Sequence, residues 1–146
     1  MPPRKMLALL LAPLIALAGP ALGNEQAHRN YLLRCAGCHG MEGHGSVEGG
    51  IPGFPGSVGV IAADDLGRTY MMHVPGVVSA SLSDAQIAEV MNYVLDAWSD
   101  GQGAAFTAEE VTRRRAQPVA DVVALRRELT ANLAAEGISI APYPWP

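Results

Sequence analysis

Apolar positions recur along this chain in several distinct patterns, and each predicts a different use of the backbone. From Met6 to about Ala18 they run almost unbroken. From Ile87 onward Val90, Met91, Val94, Leu95 and Trp98 recur at spacings of three and four, the signature of one buried helix face. Ser83, with Gln86 three residues later, supplies a capping box for that helix. Glu25 to Arg34 has no glycine or proline and predicts a short helix, with Leu32 and Leu33 in the core. Tyr31 lies four residues before Cys35 on the same face and is expected to pack against the later helix. Between the two helices, Gly40 to Gly59 is rich in glycine and carries Pro52 and Pro55, so little regular structure is expected there.

Beyond Asp100-Gly101-Gln102-Gly103 the helical pattern resumes. Thr107 and Glu110 form a second capping box, which predicts a helix near Ala108 to Ala116, ended by Pro118. Asp121 caps a further helix to about Glu136, with Val122, Leu125, Leu129 and Leu133 on one side and Gly137 as its stop. The last residues, Ala141 to Pro146, alternate with proline and are expected to be extended. A helix with one apolar face must bury it. Residues 102–146 are therefore expected to clasp the preceding domain, with docking of a partner as the alternative.

The N-terminal apolar run changes the picture of where the protein works. Arg4 and Lys5 precede it, and Ala21 and Gly23 provide a small-x-small cleavage pattern after it. That is the order of a secretory signal peptide, residues 1–23, removed after Gly23. Pro13 interrupts the run, which is short of the about 20 residues a membrane crossing needs. The expected location is periplasmic, without stable membrane insertion. The mature region would span a domain at 24–101 and the extension at 102–146. All 146 residues carry a net charge of −4; without the leader, eight cationic side chains face fourteen acidic ones, and no lysine remains. Nucleic acid is not an expected partner, since phosphate binding needs clustered cations. The one run of cations, Arg113-Arg114-Arg115, fits a helix edge better.

Only two cysteines are present, and they define the chemistry: Cys35-Ala36-Gly37-Cys38-His39. This spacing reads as a c-type haem attachment, two thiols for two vinyl groups and an adjacent imidazole for the iron. A structural disulfide would close too small a ring to stabilise much. A thioredoxin-type dithiol wants a strand before the motif, whereas the upstream residues look helical. A zinc site needs more ligands than these three.

Cys35 to His39, followed by Gly40 and a glycine-rich loop, resembles the class I c-type cytochromes over about Glu25 to Trp98. The resemblance implies an all-α class I cytochrome c fold around one covalent haem c, to which the C-terminal helical extension is added. It implies Cys35 and Cys38 as attachment points, His39 as proximal ligand, and a proline carbonyl that accepts a hydrogen bond from that His, best matched by Pro52. Arg68 and Tyr70 are candidates to bond a haem propionate. The family places a methionine directly before a proline as sixth ligand, but here Val74 precedes Pro75 in Tyr70-Met71-Met72-His73-Val74-Pro75. Met72 is nearest the expected place; Met71, His73 and an iron without a sixth protein ligand are the alternatives. Met91 belongs to the core stripe, and His44, between glycines, is expected at the surface.

The function this implies is single-electron transfer, with no side chain doing acid–base work. The expected donor is a periplasmic dehydrogenase and the acceptor a terminal oxidase or another cytochrome. A haem subunit of a dehydrogenase complex is a variant of that reading. An open-site haem protein, sensor or peroxidase-like, is the alternative.

Overall fold

In the computed structural model residues 21–143 are described, so the predicted leader lies, for all but its last residues, outside the described residues, as do Pro144 to Pro146. Among the described residues the regular structure is helical: α1 Ala21–Arg34, α2 Ala36–His39, α3 Val58–Ala63, α4 Asp65–His73, α5 Pro75–Val78, α6 Asp84–Trp98, α7 Ala108–Arg115 and α8 Val122–Ala135. The all-α expectation holds. No described helix is long and apolar enough to cross a membrane.

The frame is α1 against α6. Tyr31 is buried at this crossing, with its ring 5.4 Å from Tyr93 and 5.2 Å from Trp98. Its hydroxyl donates to the Gly40 carbonyl at 2.6 Å, which ties the frame to the residue after the Cys-His motif. Tyr31 thus packs as the sequence predicts. Leu32 and Leu33 do not: Leu33 is 69% exposed and Leu32 lies at the surface too. The buried side of α1 runs through Ala27, Asn30 and Tyr31, and the two leucines fall beyond that stripe. Helix α1 already includes Ala21, the first described residue, ahead of the expected Glu25.

Helix α6 carries the full capping box at Ser83 and Gln86, and buries Ile87, Val90, Met91, Val94 and Leu95 as its spacing requires. The sequence pattern does not announce helices α3 and α4. Asp64 caps α4 by accepting from Gly67 N at 2.7 Å. Gly67 is there because a Cβ would strike the Ile61 carbonyl.

The extension folds back on this frame. Helix α7 packs on α6 and α4, and α8 packs on α4. Asn92 of α6 holds the connection, accepting from Phe106 N at 2.7 Å and donating to its carbonyl at 3.0 Å. Val111, Leu129 and Leu133 are buried, so the apolar faces find their cover inside the molecule, which is the clasp arrangement. Thr107 caps α7, but Glu110 does not complete the box; its carboxylate turns inward to two arginines instead. Gly137, at φ 78°, ends α8.

Candidate haem site

Helix α1 runs directly into the motif. Cys35 N donates to the Tyr31 carbonyl and His39 N to the Cys35 carbonyl, so the five residues form one continuous helical turn. The chain then reverses at Gly40, and the glycine-rich loop returns across the motif. Gly45 N donates to the His39 carbonyl, Ser46 and Ile51 exchange backbone hydrogen bonds, and Phe54 N donates to the Gly43 carbonyl. This closure requires Gly45, whose φ is 71° and whose Cβ position would fall on the Ile51 carbonyl. The loop is irregular, as predicted, but pinned, and it sets Pro52 and Phe54 against His39.

These elements wall a cavity of about 320 Å³. Cys35, Cys38 and His39 line one side, Pro52 and Phe54 the next, and Met71, Val74, Val77, Met91 and Val94 continue the wall from α4, α5 and α6. The extension closes it with Val122, Val123, Arg126 and Tyr143. The wall is overwhelmingly apolar, which suits a large flat hydrophobic group.

Both cysteines carry free thiols. Burial pushes the Cys35 thiol above its usual pKa, and the neighbouring Cys38 adds to this. His39 moves the other way: burial lowers its pKa, while the Pro52 carbonyl facing the ring partly opposes the fall. A neutral imidazole is the form a metal takes. Its ring stacks on Phe54 at 4.0 Å between centroids. Nδ1 is buried without a fully formed hydrogen bond among the described residues.

Arg126 is the group that sequence reasoning missed. It is buried on the cavity wall, donates to the Tyr70 hydroxyl at 3.2 Å and to the Ala141 carbonyl at 2.7 Å, and faces the Tyr143 ring. No carboxylate of the described residues pairs with it. A buried guanidinium without a counter-ion is costly unless an anionic group is supplied. Arg68, the expected propionate partner, is turned away. It binds Glu110 at 2.6 Å, the carbonyls of Ala62 and Ala104, and the face of Phe106. Tyr70 does line the cavity, beside Arg126. Arg126 sits mid-helix in the extension, and its partner Tyr70 is 56 positions away. Nothing local to residue 126 announces this role.

The sixth-ligand candidates do not lie on a loop; α4 carries all three of them. Met72 is 0% exposed and lies off the cavity wall. His73 is held between two backbone carbonyls, Thr69 at Nδ1 and Gln117 at Nε2, each at 2.9 Å. Met71 lines the cavity, as does Met91. His44 is exposed, as expected.

The residues present fit a covalent haem: two neighbouring thiols, a half-buried imidazole whose neutral form burial favours, an apolar cavity, and a counter-ion for a carboxylate. A cytochrome c-552 from Thermus thermophilus is 34% identical to the chain over 150 aligned residues, covering 86% of this chain and 97% of that protein. A second cytochrome c-552, also from Thermus thermophilus, is 35% identical over 120 residues, covering 66% of this chain and 91% of its own. No protein-family model matches the chain, and no solved structure does. With that coverage, and with an all-helical frame that sets the Cys-x-x-Cys-His turn on an apolar cavity, the chain belongs to the c-type cytochromes, carries haem c and serves as an electron carrier.

Proposed function

We propose that this cytochrome is an exported single-electron carrier, taking electrons from a periplasmic dehydrogenase and passing them to a terminal oxidase or another cytochrome. The observation that carries the reading is the joint placement of Cys35, Cys38 and His39 on the wall of the apolar cavity that the extension closes. When bound, haem supplies the reversible ferric–ferrous couple.

The protein's own groups have separable tasks. Cys35 and Cys38 give the thiols that fix the porphyrin edge. Burial favours the neutral form of the His39 imidazole, and the Pro52 carbonyl is the acceptor that would orient the ring. Arg126, assisted by Tyr70, neutralises a propionate, the task that the sequence suggests for Arg68. The apolar wall keeps water from the group. Among the described residues no carboxylate lines the cavity to act as an acid or base, which fits carriage rather than turnover. Docking of redox partners proceeds without lysines, since the mature region has none. Partner contact then rests on exposed apolar side chains flanking the motif in sequence, Leu33 before it and Met41 after it.

The test is direct. The chain is expressed with haem-maturation machinery, and haem is stained on a denaturing gel. The wild-type band keeps its colour after denaturation, the double variant C35S/C38S loses it, and potentiometry gives a one-electron wave. Recovery in the periplasmic fraction, shortened at the N-terminus, completes the reading. A chain without attached haem, or one retained uncleaved in the cytoplasm, would overturn it.

A further inference from the structure

Aromatic rings run without a break from His39 to the surface. His39 stacks on Phe54 at 4.0 Å between centroids, and Phe54 lies 5.5 Å from Trp98. Trp98 meets Tyr31 at 5.2 Å and Tyr93 edge-on at 6.1 Å, and the two tyrosines are 5.4 Å apart. Tyr93 stacks in turn on His28 at 5.2 Å. His28 is exposed, while Tyr93 and Trp98 are half-buried. Packing of α1 on α6 accounts for Tyr31 and Tyr93, but not for the continuation to His39. That join is made by the glycine-rich loop. Gly43, at φ 68°, lays its backbone on both rings: a Cβ there would stand 2.8 Å from Trp98 and 3.1 Å from Phe54. Phe54 N donates to the Gly43 carbonyl at 2.8 Å, which holds the junction closed.

The rings differ in what they can do. A phenyl ring resists oxidation, so Phe54 serves only as a bridge; an indole or a phenol gives up an electron far more readily. A phenol sheds its proton when it is oxidised. Tyr31 is 1% exposed and its hydroxyl donates to the Gly40 carbonyl, which cannot take that proton. Tyr93 is open to solvent, which can. The other two tyrosines, Tyr70 and Tyr143, face the Arg126 guanidinium, whose charge opposes the loss of an electron beside it.

We propose that Phe54, Trp98 and Tyr93 carry oxidising equivalents from the haem side of His39 to the surface, so that a peroxide meeting the ferrous protein leaves a radical on Tyr93 instead of destroying the haem. The inference rests on the haem-carrier reading above and adds a protective activity to it. Hydrogen peroxide takes two electrons and two protons to become two waters. The ferrous–ferric couple supplies one electron. Tyr93 supplies the other through Trp98 and releases its phenolic proton, and solvent provides the second proton. A small diffusible one-electron reductant, such as ascorbate, then returns Tyr93 to the phenol.

The experiment mixes the intact ferrous holoprotein with hydrogen peroxide, freezes it for electron paramagnetic resonance, and maps oxidised residues by peptide mass spectrometry. Wild type is expected to give a tyrosyl signal, with oxidation at Tyr93. Y93F keeps the ring and its packing, and is expected to lose that signal, shift oxidation to Trp98 and bleach its haem faster. W98F is expected to lose both sites and bleach faster still. Circular dichroism and the midpoint potential of Y93F should match wild type, so a role confined to packing predicts an unchanged radical. A tyrosyl signal that persists in Y93F, a radical on Tyr70 or Tyr143, or no radical with equal bleaching in all three proteins would overturn the proposal. Haem staining and the one-electron wave of the same samples separate the two readings: attached haem with an intact wave but no Tyr93 radical defeats the aromatic route alone, and no haem defeats both.

Discussion

Replacing Glu110 by glutamine should detach the extension from the haem domain, and its cost follows from the cluster it serves. The Glu110 carboxylate accepts from Arg68 Nε and Nη2, each at 2.6 Å, and from Arg114 Nε at 2.8 Å. The three side chains are 10%, 14% and 7% exposed for Arg68, Glu110 and Arg114. Removing the one carboxylate between two buried guanidiniums leaves uncompensated charge, which costs about 3–5 kcal/mol. The Arg114–Asp65 pair cannot replace it, because Asp65 is 91% exposed and such pairs contribute roughly 0–1 kcal/mol. Glu110 also writes the effect into pH. Its hydrogen bond to Arg68 is the chief cause that lowers its pKa from 4.5 to about 2, and Arg114 adds to it. A carboxyl lowered in the folded state stabilises fully above its unfolded pKa and loses that contribution as pH falls from about 4.5 through about 2, here roughly 3 kcal/mol. Urea denaturation of the holoprotein, followed by helical circular dichroism, measures both terms. The E110Q variant should be less stable by about 3–5 kcal/mol near neutral pH, and wild type should converge on it on acidification. A difference under about 1 kcal/mol at neutral pH, or one that does not narrow between about pH 5 and pH 2, would refute the assignment.

Three further outcomes are expected. Y31F deletes the bond to the Gly40 carbonyl but keeps the ring packing, and should cost about 1 kcal/mol in the same denaturation assay. G45A forces a Cβ onto the Ile51 carbonyl at positive φ and should destabilise by about 1–3 kcal/mol, with altered His39 proton resonances as the loop that holds Pro52 moves. R126Q removes the buried cation from the cavity wall and should lower the midpoint potential in a redox titration, because the field that favours the added electron is lost, whereas R68Q should change stability and leave the potential nearly unmoved.

Local signals in the sequence are legible where the cause is local. The Ser83–Gln86 box, the α6 stripe, the Asp121 cap and the Gly137 stop all depend on neighbours within one or two helical turns, and all appear where their spacing puts them. The Cys-x-x-Cys-His turn belongs to the same class. Leu32 and Leu33 show the limit: composition marks them as core, but helix phase, set by Ala27 and Tyr31 meeting α6, puts them outside. Helix α4 is hidden because its residues carry polar groups, Arg68 and Thr69, on a face that the extension buries. The ligand candidates at 71–73 therefore carry no helical signal in the sequence. Arg68 does not line the cavity, for the same reason. Arg68 is near the motif in sequence, yet its partners are Glu110, Ala104 and Ala105; Arg126 is remote, yet it meets Tyr70.

The extension lines the cavity rather than standing behind it as a brace. Arg68 and Arg114 fasten α7 to α4, and α4 carries Tyr70 and Met71 to the cavity. Helix α8 then lays Val122, Val123 and Arg126 along the remaining wall. The tail follows: Ala141 N donates to Ser57 Oγ at 2.7 Å, while its carbonyl accepts from Arg126. Ser57 stands immediately before α3, at the end of the loop that presents Pro52 and Phe54 to His39. One continuous set of contacts thus links the proximal loop, the tail, the buried cation and the helix that bears the candidate sulfurs. Loosening the Glu110 cluster should move more than stability. The cavity should open to water, and the haem potential should fall, because hydration favours the more highly charged ferric state.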